Sequence, residues 1–216
     1  MVNMNIIEKI KDGKYWIVEK VECDDYKVRL RKRLKMPCSK VGIAIAKLHF
    51  SKEVFARRVS ELFGFDIVPE IEQFNDPCGV FGVIQQYVYG KEYGDAVAPL
   101  AALQRIALFD IVTNNYDRAA GNWLIGSDRK AWALDNGDIL RRIPCMAPTA
   151  RFLFRTWEKE ISEFALHIVG REDRYIEFIE HEYFNHSIVR SVWRRKMMFD
   201  AVHSQFGTIR SMLKGE

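Results

Sequence analysis

Cysteine is sparse in this chain, and no arrangement of it points to chemistry. Cys23, Cys38, Cys78 and Cys145 are scattered, without a C-x-x-C pair. That spacing argues against a zinc ribbon and against a disulfide framework, and reduced thiols in a cytoplasmic protein are the expectation. Long apolar runs are missing too. None approaches the roughly 18 residues that a membrane-spanning helix needs. The opening MVNMNIIEKIKDGK has no apolar stretch followed by a cleavage site, so no signal peptide is expected, although export as an effector stays open. Charge of one sign is not in large excess: 33 basic against 29 acidic residues leave a net +4. That bias is too small to demand a nucleic-acid partner. His181-Glu182 and His186 fall outside the H-E-x-x-H metal pattern. Their spacing puts the two imidazoles on different sides of a helix. Internal repeats and low-complexity segments are absent.

What is present is enough apolar residue, 48% of 216, to bury one sizeable core or two small ones. Lys14 to Val21 is rich in aromatic and β-branched residues and predicts a strand. A turn at Glu22 to Asp25 follows. Tyr26 to Leu34 then alternates. Lys27, Arg29, Arg31, Arg33 and Lys35 share one face, and Val28, Leu30 and Leu34 the other, the pattern of a half-buried strand. The basic face is either a solvated edge or a dock for anionic lipid, nucleic acid or an acidic partner. Pro37 breaks this strand, and Val41 to Phe50 reads as a third. Ser51 as N-cap and Gly64 as stop bracket a helix over Lys52 to Phe63. Phe65 to Phe74 and Val80 to Tyr89 read as two more strands, parted by Asn75-Asp76-Pro77. Ala96 to Asn114 is apolar over most of its circumference and predicts a buried helix. A hairpin over Trp123–Ile125 and Ala131–Leu134 follows. The rest, roughly 150–169, 171–184 and 187–214, is helical. The class is therefore α+β, with strands crowded toward the N-terminus and helices toward the C-terminus.

The stretch from Asn114 to Gly137 carries the chemistry. Asp117 and Asn122 stand five apart where the apolar helix closes. Asp135 ends the next apolar run, with Asn136-Gly137 behind it. Mg²⁺ takes carboxylate and amide oxygens together with phosphate oxygens. Phosphoryl transfer needs that clamp and one further carboxylate to hold the attacking hydroxyl. In the kinase pattern D-x-x-x-x-N followed by D-F-G, the first Asp meets the hydroxyl, and the Asn and the second Asp meet metal. D-R-A-A-G-N followed by D-N-G has this spacing. The competing reading is a turn-rich hairpin in which Asn, Asp and Gly only make Asx-turns.

This stretch resembles the atypical kinases of the phosphatidylinositol 3-/4-kinase and HipA-like superfamily. Asn115-Tyr116-Asp117-Arg118 and Asn122 match their N-x-D-R-H-x-x-N loop, and Asp135 with Gly137 matches their D-x-G. The resemblance implies a two-lobed fold, with 1–89 as a small lobe of five strands and one helix, and 90–216 as a helical lobe. It implies ATP and Mg²⁺ as cofactors, with Asn122 and Asp135 on the metal. It places Asp117 at the acceptor hydroxyl, with Arg118 beside it to steady the loop or touch a phosphate. Ile43 to Lys47 (IAIAK) is similar to the V-A-I-K strand, so Lys47 is the phosphate lysine and Lys27 its rival. SKEVFARRVSELFGFDIVPE is similar to the R-E-x-A…L-G-x-x-V-P segment, which makes Glu53 the partner of that lysine, with Glu61 as the alternative. Gln85 to Gly90 resembles the hinge, where the Gln86 carbonyl and the Val88 amide would hold adenine. Three departures stand out. Ala119 replaces the usual His. The turn after the first predicted strand has no glycine and carries Glu22, Asp24 and Asp25. No A-P-E follows Asp138 to Pro148. The expected activity is transfer of the γ-phosphate of ATP to a protein Ser/Thr or small hydroxyl acceptor. The alternatives are a nucleotide-binding pseudokinase docking through its basic strand, and adenylyl transfer on the same fold.

Overall fold

The computed structural model describes residues 4–76, 79–92, 98–144, 146–153, 157–184 and 192–215. Pro77, Ala96, His186 and Ser187, which the sequence reading placed in a turn, at helix starts and in a near-miss metal motif, lie outside them. Five antiparallel strands form the first sheet: β1 Met4–Asp12, β2 Trp16–Cys23, β3 Val28–Leu34, β4 Ile71–Asn75 and β5 Phe81–Gln86. Their spatial order is β1-β2-β3-β5-β4. Between β3 and β4 the chain forms α1, Lys40–Phe63, which packs against β4 and β5.

The element order is β-β-β-α-β-β, as expected, but two of the assignments behind it are wrong. β1 escaped the sequence reading because it is exposed on both faces along nearly its whole length and so shows no alternation. Val41 to Phe50 is helix, not strand. The Ser39 side chain accepts from the Gly42 amide at 3.1 Å and caps α1 twelve residues ahead of Ser51. Gly42, Ala46, Phe50 and Glu53 then recur at three- and four-residue spacing on its buried face. Short apolar runs are ambiguous between the two structures, and length decides. Gly64 does end the helix. It sits at φ 76°, and its N–H bonds back to Glu61 and Ser60 carbonyls.

The second part begins with β6 Gly90–Glu92, which pairs with β7 Trp123–Gly126, and β7 in turn pairs with β8 Ala131–Ala133. Helix α2, Leu100–Val112, is buried on all sides through Ile106 to Val112. Around it lie α3 Lys159–Val169, α4 Glu172–Phe178 and α5 Val192–Lys214. A π-helical turn, Ile179–Phe184, continues α4. Two apolar clusters result. A small one joins Leu34, Ala46, Phe50 and Val83. A large one gathers α2 with Phe55, Phe63, Phe65, Trp123, Tyr175 and Phe206. Helix α1 contributes to both: Ala46 and Phe50 to the first, Phe55 through Phe63 to the second. Among the described residues, no helix is long and apolar enough to cross a membrane.

Candidate active site

The centre of the site is Lys32, which the sequence reading passed over. It lies on the inward face of β3, opposite Val18 of β2 and Val83 of β5. Its ammonium is 2.5 Å from a Glu53 carboxylate oxygen and 3.2 Å from Asp135 Oδ1. Burial works against the charge on Lys32, but Glu53 and Asp135 outweigh it and hold the lysine protonated. Burial likewise opposes ionisation of Glu53 and Asp135, and Lys32 with His49 pulls both below the usual carboxylate range.

His49 lies one turn before Glu53 on α1. Its ring stacks on Trp16 with centroids 4.3 Å apart. Nε2 is 3.4 Å from Glu53 and 3.3 Å from Asp135. These are charge contacts whose alignment falls short of hydrogen bonds. Burial disfavours the imidazolium, yet the two carboxylates raise its pKa to about 9. Two cations and two anions therefore interlock where β3, α1 and the Asp135 turn meet.

The Asp117 loop is built from the end of α2. Asp110, fully buried, accepts from the Arg118 guanidinium, the Asn115 amide and the Thr149 hydroxyl. The Asn115 side-chain oxygen in turn accepts the Asp117 amide at 3.1 Å, and the Asp117 side chain is left exposed. Asn122 donates its side-chain N–H to the Asp117 carbonyl at 2.8 Å, which leaves its Oδ1 as the free end. The Leu134 amide donates to the Asn122 carbonyl at 2.8 Å, so Asn122 and Asp135 sit at neighbouring ends of the β7–β8 hairpin. Asp135 itself is in the left-handed region at φ 50°. Such a conformation in a non-glycine residue concentrates at functional sites.

Arg118 is a strut. Its side chain has no exposure, and it donates to Asp110, to the Asn122 and Leu134 carbonyls and to Asn136 Oδ1. No N–H is left for a phosphate, which corrects its placement as a catalytic contact and leaves the loop-steadying role. Asn136 donates its backbone N–H to Glu53 Oε2 at 3.2 Å, closing the circuit between the Asp135 turn and α1. Gly137 lies where a Cβ would be 1.8 Å from His49 Nδ1, so the glycine lets the helix approach.

Lys47 is a second correction. It is an exposed residue of α1, with its ammonium 5.3 Å from the centre of the Phe81 ring, and it does not meet Glu53. The error follows from reading that stretch as a strand. Lys27 is also exposed, near Asp25. Glu61 pairs with Arg57 on the same helix and takes no part in the site. Gln86 is the last residue of β5, and its N–H is taken by the Glu70 carbonyl. Val88 is half-buried in the short connection between the two sheets. The basic face of β3 is not a vacant dock. Arg31 and Arg33 pair with Glu19, Arg29 and Lys27 with Asp25, and Lys35 with Asp12.

Oxygen donors for a hard divalent cation are present. Donor atoms of His49, Glu53 and Asp135 lie within 4.8 Å of one another. Glu53, however, is 1% exposed and already engaged by Lys32 and the Asn136 amide. The Asn122 side-chain oxygen and the Asp135 carboxylate, which is more exposed than Glu53 although it too pairs with Lys32, are the donor types that Mg²⁺ takes.

No family model matches the chain, and no curated protein matches it. Among solved structures, a Helicobacter pylori proinflammatory kinase, CtkA, superposes with a TM-score of 0.61 over 99% of this chain and 96% of that one, at 11% identity. The fold is kinase-like. A second structure, the PpkA-294 apo form, matches over 62% of this chain and 58% of its own, at 14% identity and a TM-score of 0.45. In this kinase-like frame the two parts are a small sheet lobe and a large helical lobe, and Lys32, Glu53 and Asp135 meet where they join.

Proposed function

We propose that the chain is an ATP-dependent phosphotransferase of the atypical type, moving a γ-phosphate to a hydroxyl acceptor, with protein Ser/Thr as the favoured class. Residues 1–89 would form the nucleotide-covering lobe and 90–216 the catalytic one. The observation that supports this best is the Lys32–Glu53–Asp135 cluster: a lysine held charged by a helix glutamate, beside an aspartate on a D-x-G turn. The same cluster is what a kinase uses to orient phosphates. Lys32 presents a fixed positive charge to polyphosphate oxygens. Asn122 and Asp135 would hold Mg²⁺, which neutralises charge on the transferring phosphoryl group. Asp117, exposed and anchored through its own amide, accepts the hydroxyl proton of the acceptor. Adenine would lie against the Gln86–Val88 connection. What supports a place in the phosphatidylinositol 3-/4-kinase and HipA-like superfamily is the Asn115-to-Asn122 loop with Asp135 and Gly137.

The test is intact mass after incubation with Mg·ATP. A phosphoryl increment on the protein or on an added acceptor, lost in Asp117→Ala and in Asp135→Ala, is the expected result. Turnover retained in either variant refutes the assignment. A second reading, a nucleotide-binding pseudokinase, is favoured by Ala119 in place of the family histidine. It predicts a rise in melting temperature with Mg·ATP and no mass change. An adenylyl increment would mean nucleotidyl transfer instead.

A further inference from the structure

Positive charge is left over on one side of this site. Lys52, adjacent to Glu53 on α1, is half-buried and, among the described residues, makes no ion pair. Burial brings its pKa down to about 8. Asp138 pulls the other way, and Arg141 and Arg142 add to the depression. Arg141 reaches Asp138 only at 3.9 Å. Its guanidinium lies over the ring of Tyr116, 4.4 Å from the centre, and Tyr116 is the residue before Asp117. Arg142 is exposed. Three cations and one carboxylate, Asp138, thus lie close together, with Arg141 against the residue that precedes Asp117.

The ledge that carries the two arginines is held by hydrogen bonds. Asn114 Nδ2 donates to the carbonyls of Arg141 at 2.7 Å and Ile143 at 3.0 Å. Gln205 of α5 donates to Asn114 Oδ1 at 2.9 Å. The Leu140 amide bonds to the Thr113 carbonyl at 2.7 Å, with Leu140 at φ 55°. A buried leucine in the left-handed region is costly, so the turn is over-determined by its contacts. The loop that positions Asp117 therefore also positions Arg141 to Ile143.

We propose that Arg141 and Arg142, with Lys52 behind them, recognise an acidic peptide, selecting acceptors whose hydroxyl is flanked by carboxylate or phosphate groups. The inference rests on the phosphotransferase reading for the role of Asp117, while the anion preference stands on the ledge itself. An extended peptide spaces its side chains by about 3.3 Å and sends alternate ones to one face, so one residue can reach in toward half-buried Lys52. A flat bilayer surface cannot. Nor does a net charge of +4 create the long-range field that draws a polyanion such as nucleic acid.

The test is fluorescence anisotropy on the full chain with short labelled peptides, each bearing one serine flanked by Glu, by Gln or by Lys. The Glu peptide should bind about tenfold tighter than the Gln peptide, the worth of two or three half-exposed charge pairs. The double variant R141E/R142E should remove that advantage and favour the Lys peptide. R141Q/R142Q, a milder change, should remove the preference without inverting it, and serves if the reversal unfolds the chain. Lys159→Glu, at an exposed position of α3, should change nothing. Equal binding of Glu and Gln peptides overturns the proposal, as does a preference untouched by R141Q/R142Q. Displacement of the Glu peptide by phosphatidylserine vesicles overturns it in favour of a membrane. Intact mass with Mg·ATP on the same preparation separates the two ideas. Charge-selective binding without phosphoryl transfer defeats the phosphotransferase reading alone. Transfer without charge selection defeats the ledge alone.

Discussion

Lys32 is an ammonium between two valines, and nothing in an apolar sheet face stabilises it except Glu53 and Asp135. Met fits the same space without the charge. Lys32→Met should therefore fold, as read by circular dichroism, and lose phosphoryl transfer by about 10²–10³-fold, the usual cost of removing one preorganised charge. Lys47→Met, outside the site, should show no measurable loss; an equal loss in both would reverse the assignment. His49 makes a pH prediction. Its folded pKa, about 9, lies above the ordinary 6.5. Its stabilising contribution is therefore complete below about pH 6.5 and lost as pH rises through about 9. Wild type should exceed His49→Gln in urea stability at pH 6 by no more than about 3 kcal/mol. That margin should vanish by pH 10. A margin independent of pH would mean that the histidine contributes through its stacking on Trp16 and not through its charge. The residue scale also explains why Lys32 was missed. It shares a face with Val28, Leu30 and Leu34, and a lysine in an apolar register is a signal. The neighbouring basic face, at alternate positions, drew attention away from it.

At the scale of elements, the backbone of the Asp135 turn is locked to side chains of α1. The Asn136 amide bonds to Glu53, and the Gly137 position admits His49. Gly137→Ala puts a methyl where the imidazole is. The expected cost is about 1–3 kcal/mol in urea denaturation, the range for overpacking. Phosphoryl transfer should fall with it, because α1 carries Glu53. Unchanged stability and turnover would show that the helix and turn are not in contact as described. Element type was legible wherever a local signal was strong. The β7–β8 hairpin, the Gly64 stop and the buried α2 follow from turn residues, a left-handed cap and an apolar circumference. The N-terminal half of α1 was not legible as helix. An apolar run after a proline reads equally well as a strand, and the cap at Ser39 was overlooked.

The whole molecule is two apolar clusters threaded by one helix. Phe50 lies in the small cluster and Phe55 in the large one, so neither cluster can lose its packing without disturbing α1. Urea unfolding followed by tryptophan fluorescence and by far-UV circular dichroism should therefore give coincident, single transitions. Separate midpoints would mean that the lobes unfold independently. The overall architecture is also where sequence and tertiary structure divide their work. From the sequence alone come those features whose causes lie within a few residues: turns, the Gly64 helix stop, the alternating strand at Val28–Leu34, and the D-x-x-x-x-N and D-x-G spacings. These were enough for the α+β class, and the resemblance that the two spacings carry supplied the expectation of two lobes. Only the tertiary structure decided which lysine stands beside Glu53, that Arg118 is a buried strut, and that the basic face of β3 is already paired. Lys32 meets partners 21 and 103 residues away in the chain. Electrostatic pairing depends on distance in space, and nothing in local sequence encodes a neighbour so far along the backbone.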